Sequence, residues 1–432
     1  MNTTASAWLR GTAVAGVLAL TVGQAAAADS GACIGKVPTL RVLVQPTPSV
    51  GLMEELKGQF EDKWDTSVEF TRLGENERRA QERLDASTGA GAYQVYYLDE
   101  ANVPEFADAG WILPILDYYP EHYDFDDFLS SRRAVGSWEG KDYVAPTMGG
   151  GDILFYRKDL FAEAGVDVPK TMDEMVAAAE ALNQPPDHYG WANRGRRGSG
   201  MNVWTWIPFF KAYGGEWTDE DGVPQLNSEA AVKATETFVK LFDYAPPGGR
   251  TATFAEQMEG MRSGQVAMVY ANEIFAPPME DESVSSVVGK IGYAPPPSPL
   301  PSAGFGHGLG ISAEGAKSEC ERLIAGEFIG WATSKEMETE RIDRGITSDY
   351  ARKSSLDNPG LTASMPPDFA EALKGSAPVT SVLFWRIPEW PTIGDELGLA
   401  IEELTTGTRT DVQASLDEVN DFAVHHLRRS NR

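Results

Sequence analysis

From Thr39 onward the chain alternates short apolar runs with amphipathic helical stretches, and this grammar restricts it to layered α/β folds. Leu40-Arg41-Val42-Leu43-Val44 reads as a buried strand that runs into Gln45-Pro46-Thr47-Pro48. Beyond it Met53, Leu56, Phe60 and Trp64 recur at helical spacing. Val68-Glu69-Phe70 alternates as a second strand, and a helix is predicted through Arg78 to Asp85. Gln94 to Leu98 gives a third strand, with Asp99 and Glu100 immediately past its end. Such repeats predict a doubly wound sheet, in which ligands meet the carboxyl ends of the strands.

The middle of the chain repeats the pattern. Asp152-Ile153-Leu154-Phe155-Tyr156 reads as a strand, and Thr171 with Glu174 forms a capping box ahead of a helix running to Leu182. Another helix is predicted from Ser228, with Val232, Thr235, Val239 and Phe242 on one side. A strand from Gln265 to Tyr270 follows, and then Ala271-Asn272-Glu273. Ala294-Pro295-Pro296-Pro297-Ser298-Pro299-Leu300-Pro301 can be neither helix nor central strand and is expected as an extended connector. Gly304 to Ile311 resumes strand-like sequence. Two α/β lobes joined by a few chain crossings fit this order.

Residues 1–28 follow a different grammar. A polar start with Arg10 precedes an apolar run from Ala13 to Val22, and Ala25-Ala26-Ala27-Ala28 lead into Asp29-Ser30. This is the layout of a secretory signal peptide, with cleavage expected after Ala28 and a periplasmic product; the run is too short to span a bilayer. Cys33 after Gly31-Ala32 offers a lipid-attachment reading, the weaker one because Asp29 and Ser30 interrupt the apolar approach. The other cysteine, Cys320, is expected to pair with Cys33, since two cysteines in an exported protein pair more often than not; two unrelated thiols are the alternative.

Charge and motifs narrow the chemistry. Sixty-four acidic against 37 basic side chains give a net charge of -27, which repels phosphate backbones and argues against nucleic-acid binding. Gly198-Ser199-Gly200 is too short for a nucleophile elbow, and Gly140-Lys141-Asp142 lacks the partners of a phosphate loop. The glycine-rich Gly304 to Gly310 misses the dinucleotide spacing. Two cysteines and scattered histidines offer no zinc spacing, so neither metal nor cofactor is expected. Aromatic rings interleaved with polar side chains are abundant instead, and are expected in loops, in Trp204-Thr205-Trp206-Ile207-Pro208-Phe209-Phe210 and in Leu383-Phe384-Trp385-Arg386-Ile387-Pro388-Glu389-Trp390. Flat rings beside hydrogen-bonding side chains suit a neutral carbohydrate, and ordinary core packing is the alternative for each ring.

Gly136-Ser137-Trp138-Glu139-Gly140-Lys141-Asp142-Tyr143-Val144-Ala145-Pro146 adds a family pattern. With Phe155 to Phe161, Pro169 to Met175, Gly260 to Met268 and Ala325 to Trp331, it resembles the extracellular solute-binding proteins of bacterial ABC importers, the maltose-binding-like family 1. Arg194 to Asn202 and Tyr213-Gly214-Gly215-Glu216-Trp217 look most like the branch that binds sugar alcohols and monosaccharides.

The resemblance implies a two-lobed periplasmic-binding-protein fold, each lobe a doubly wound sheet with a ligand cleft between them. The lobes are expected over 29–147 plus 306–345 and over 148–305 plus 346–432, with hinge crossings near Met148, Phe305 and Gly345. It implies ligand residues at Gln45, Thr47, Asp99, Glu100, Gly150, Asp152, Trp204, Trp206, Tyr270, Asn272, Glu273, His307, Trp385 and Arg386. Asp152 has the alternative of capping or pairing with Arg157, His307 of a hinge spacer, and Arg194 to Arg197 of a solvated loop. The implied mechanism is closure of a monomer around a small sugar or polyol, then delivery to an ABC permease in the inner membrane, with no bond broken. Two rivals are a secreted carbohydrate-active hydrolase using two carboxylates, and a receptor for a cation or polyamine steered by the acidic surface.

Overall fold

The computed structural model describes residues 30–346, 349–355, 358–363 and 365–430, so the expected signal peptide lies outside the described residues. Strands β1 (Thr39–Val44), β2 (Ser67–Arg72) and β3 (Val95–Asp99) form where the apolar runs predict them. β1 pairs in parallel with β2 and with β3. The intervening helices are Pro48–Leu56, Gly58–Trp64 and Glu75–Thr88. The single helix implied by Met53 to Trp64 is therefore two, broken at Lys57, with the first capped by Thr47, whose side chain accepts from the Val50 N–H.

β4 (Val144–Gly150) and β5 (Asp152–Arg157) are separated only by Gly151, yet they belong to different sheets. β6 (Met268–Asn272) and β7 (Ile291–Ala294) flank β5, and β8 (Phe305–Ile311) returns to the first sheet. The first sheet has the order β2-β1-β3-β8-β4, with β8 antiparallel to both neighbours. The second has the order β6-β5-β7 and is antiparallel throughout, which departs from the doubly wound sheet expected in each lobe.

Helices complete two lobes. Glu319–Ala332 packs on the five-stranded sheet and Lys335–Asp343 against the helix Pro48–Leu56, while Asn202–Ala212, Glu229–Leu241, Trp390–Thr406 and Val412–Ser430 pack together in the other lobe. The buried face of Glu229–Leu241 is Ala231, Ala234, Thr235, Phe238 and Leu241, so of the predicted face Thr235 is buried in the helix and Phe242 just past its end, while Val232 and Val239 are only half-buried. Phe238 meets Phe209 edge-on, and Thr235 accepts from the Trp206 indole; these contacts set the helix rotation.

Trp204 to Phe210 lies within Asn202–Ala212, a helix buried on every side across this stretch, not in a loop. A helix that is apolar all round is a core helix. Cys33, in the turn Ser30–Cys33, is disulfide-bonded to Cys320 at the start of Glu319–Ala332.

Candidate functional site

Three stretches of chain pass between the lobes. At the first, a Cβ on Gly151 would lie 2.3 Å from Ser302 Oγ and 2.7 Å from Thr380 Oγ1, so the crossing needs glycine for close approach. Ser302–Ala303 leads into the second crossing at Gly304 and pairs in parallel with Thr380–Ser381. The third lies beyond the crossing expected at Gly345: Glu338, Tyr119 and Asp127 of the first lobe still hold Ala351, Arg352 and Ser354, and Pro367–Ser376 packs on β7 of the second. Ahead of it buried Asp349 accepts from the Gly149 N–H at 3.0 Å and Arg341 donates to the Thr147 carbonyl at 2.7 Å. β4 stays in the first sheet through Gly150, past the crossing expected at Met148.

A cavity of about 200 Å³ opens at these strand ends, walled by both lobes. From the first lobe come Gln45 and Thr47 after β1, Glu75 and Arg79 on Glu75–Thr88, Glu100 after β3, Met148 on β4 and His307 on β8. From the second come Arg194, Trp204, Phe254, Asn272, Phe275 and Phe384, and Phe305 stands at the second crossing. Phe254 stacks on Phe275 with centroids 5.9 Å apart, and Trp204 packs against Phe384 at 5.1 Å. The result is an aromatic wall facing polar side chains.

Of these lining residues, Gln45 (Oε1), Arg194 (Nε), Asn272 (Nδ2) and His307 (Nδ1) each carry a buried polar atom without a hydrogen-bond partner among the described residues. Unpartnered buried polar groups are costly, and a hydroxyl-bearing ligand satisfies both donors and acceptors.

The electrostatics divide the carboxylates into two kinds. Burial opposes the charge of Asp99, but Arg78 at 2.9 Å and the Arg79 Nε at 2.5 Å outweigh it and hold the carboxyl well below its usual range. Burial pushes Glu100 up to about 8, reinforced by the Asp99 charge and resisted by the Gly306 N–H it accepts from. Burial lowers His307 to about 4, despite the attraction of Asp99, so its ring is neutral at pH 7. Glu100 and His307 therefore face the cavity as uncharged hydrogen-bonding groups at neutral pH.

Six of the residues expected at the site line the cavity: Gln45, Thr47, Glu100, Trp204, Asn272 and His307. Eight do not, each for a visible reason. Asp99 is engaged by Arg78 and Arg79 behind the wall. Gly150 pairs with Phe305, and a Cβ there would press on Asn272 Oδ1 at 2.7 Å, so it makes room for the asparagine. Asp152 sits opposite Asn272 in the β5–β6 register; burial raises it to about 7, while Arg157 pairs with Asp159 instead. Trp206 is core, stacked on Phe210 at 5.0 Å. Tyr270 turns its hydroxyl to the Pro301 carbonyl, and Glu273 accepts from the Gly151 N–H at the crossing. Trp385 stacks on Trp217, and Arg386 donates to the Val135 and Ser137 carbonyls of the other lobe.

Arg79, Phe254, Phe275 and Phe384 join the site without having been predicted. Phe384 lay beside Trp385 in the aromatic cluster, and Phe275 follows the strand-end Asn272 by a short turn, so both carried a positional signal. Arg79 and Phe254 carried none, since only the packing of the lobes brings them to the strand ends. Arg196 and Arg197 are exposed, as a solvated loop requires, but Arg194 is buried at the cavity.

Among the described residues no group of three or more His, Cys, Asp and Glu could hold a metal ion, and no helix is long and apolar enough to cross a membrane.

Residues 45–339 match the family described as bacterial extracellular solute-binding protein. The mannitol-binding protein of Pseudomonas aeruginosa is 27% identical over 386 residues, covering 84% of this chain and 87% of its own. A probable amino-acid ABC transporter periplasmic-binding protein of Sinorhizobium fredii is 26% identical, covering 91% of this chain and 93% of its own. An ABC transporter solute-binding protein of Agrobacterium radiobacter, solved in complex with ribitol, superposes with a TM-score of 0.80 at 27% identity, covering 90% of this chain and 98% of that one.

Proposed function

Because the chain belongs to the family of bacterial extracellular solute-binding proteins, we propose that it captures a sugar alcohol or monosaccharide between its lobes and presents it to the permease of an ABC importer. The observation that carries this reading is the cavity itself. One wall is aromatic, the other offers Gln45, Glu100 and His307, and unpartnered polar atoms from both lobes border it. Rings pack on C–H faces while the polar groups take up hydroxyls. Its volume of about 200 Å³ lies below the ~300–1,000 Å³ of sites for drug-sized ligands, which favours one sugar unit over an oligosaccharide. The mannitol-binding relative and the ribitol complex support the same ligand class.

The mechanism follows from the two-walled site. A ligand that bridges both lobes binds the closed state better than the open one, and that difference in affinity drives closure about Gly151, Gly304 and the third crossing. The protein acts as a periplasmic monomer delivered by its signal peptide, and no bond is broken in it. Neither rival is favoured. Asp99 is committed to Arg78 and Arg79 and is not free for acid–base work. The Arg194 guanidinium at the cavity, which no carboxylate pairs among the described residues, repels a cation.

The test is calorimetric titration of protein refolded to strip carried-over ligand, against alditols, hexoses, pentoses, disaccharides, amino acids and polyamines. One alditol or monosaccharide is expected to bind and to be recovered unchanged. Its consumption would establish an enzyme. Response only to amino acids or polyamines would replace the ligand class and leave the fold intact.

A further inference from the structure

The two arginines at the cavity are in different electrostatic situations. Arg79 is held between Asp99 and Glu75, 2.6 Å from the latter, and although burial opposes its charge these carboxylates raise its pKa. Its charge is matched within the protein.

Arg194 has no such match. Its side chain is in a residue only 7% exposed, and its guanidinium makes one hydrogen bond among the described residues, from Nη1 to the Gly200 carbonyl at 3.2 Å. Its Nε has no partner. The Phe254 ring lies 5.8 Å from the guanidinium carbon, a weaker neighbour than a carboxylate. Burial lowers its pKa, and the more distant charges of Glu75 and Asp152 do not restore it. Burial also raises Asp152 to about 7, so its countercharge is incomplete at neutral pH.

A buried guanidinium without a countercharge is costly, and its planar fork of donors matches a carboxylate. A neutral hydroxyl satisfies the hydrogen-bonding need but leaves the charge unmatched.

Resting on the polyol reading above, we infer that the cavity accepts linear polyhydroxy carboxylates as well as the corresponding neutral alditols, with the acid end held by Arg194. The hydroxylated chain then lies toward the polar lining of the first lobe, where Glu100 and His307 present no charge of their own to a ligand at neutral pH. Glu75, the remaining carboxylate at the cavity, is occupied by Arg79.

The experiment is calorimetric titration of the stripped full-length mature protein with D-mannitol, D-mannonate and D-mannonamide at pH 7. The acid is expected to bind at least as tightly as the alditol, and about tenfold more tightly than the amide, which keeps the shape but not the charge. Arg194→Gln is expected to cost the acid about tenfold more than the alditol, and Arg194→Lys to restore part of the difference. The three-ligand comparison on the unaltered protein decides the matter even if a variant fails to fold. Mannitol binding with mannonate rejected overturns this inference and leaves the polyol reading intact. Silence toward all three and toward the four- and five-carbon alditols and the monosaccharides overturns both; where a shorter alditol binds instead, its own aldonate and aldonamide make the deciding comparison.

Discussion

The Arg386 guanidinium donates to the Ser137 carbonyl at 2.5 Å and to the Val135 carbonyl at 3.3 Å, reaching from the second lobe to the first close to the cavity ring Phe384. These bonds need the lobes to be together, so they favour closure without touching a ligand. Arg386→Ala should shift the unliganded protein toward an open state and raise the apparent Kd by about tenfold, the size expected for losing hydrogen bonds from a charged donor. Calorimetry measures the affinity, and solution scattering should show a larger radius of gyration for the unliganded variant. Unchanged affinity and radius would show that the contact has no role in closure.

Trp204 and Trp206 lie on one helix and separate ligand contact from core. Trp204 lines the cavity, whereas Trp206 is fully buried on Phe210 with its indole N–H on Thr235. Trp206→Ala should destabilise the fold by about 3–5 kcal/mol and leave the affinity of the folded fraction nearly intact. Trp204→Ala should weaken binding by tenfold or more through loss of the stacking face. Chemical denaturation and calorimetry on both variants check this; equal losses of affinity would remove Trp204 from the site.

The contrast also marks how far the sequence was legible. Strand β1 and the cavity residues Gln45 and Thr47 after it could be read because an apolar run ends abruptly in a proline-punctuated loop. Asn272 and Glu100 could be read because one ends a strand and the other directly follows one. Which ring of an aromatic pair faces a cavity depends on helix rotation and on the neighbouring helices, so Trp206 and Trp385 could not be told from Trp204 and Phe384. The antiparallel second sheet was hidden because its strands have the same apolar composition in either pairing direction. Arg194 was hidden inside a basic run whose other members are exposed.

The Cys33–Cys320 bond should support the fold without affecting the ligand. It fastens the turn Ser30–Cys33 to the helix Glu319–Ala332, where Ser30 also donates to Glu327 at 2.6 Å, and neither cysteine lines the cavity. Replacing both cysteines by serine should lower stability by about 2–5 kcal/mol, with a melting point lower by several degrees. Affinity for the ligand should stay within about twofold. A large loss of affinity in the folded double variant would show coupling between the disulfide and the cleft.

Glu100 should give the protein a measurable loss of stability at alkaline pH. Its folded-state pKa of about 8 lies above the ordinary 4.5, because burial and the neighbouring Asp99 disfavour the charged form. Between these values the folded protein keeps a proton that the unfolded chain has released, so stability falls as pH rises toward 8 and levels off above it. Glu82, also raised to about 8, contributes the same trend. Glutamine at position 100 carries no proton to lose, so comparing Glu100→Gln with the unaltered protein isolates this one group. His307, lowered to about 4, titrates below the useful window, and restricting the comparison to pH 6.5–9 removes its opposing effect. The melting point of the variant minus that of the parent should therefore become more positive from pH 6.5 to about 8 and then hold constant. A difference independent of pH across this range would mean that Glu100 is already charged in the folded protein at neutral pH, and that the cavity presents a carboxylate to its ligand.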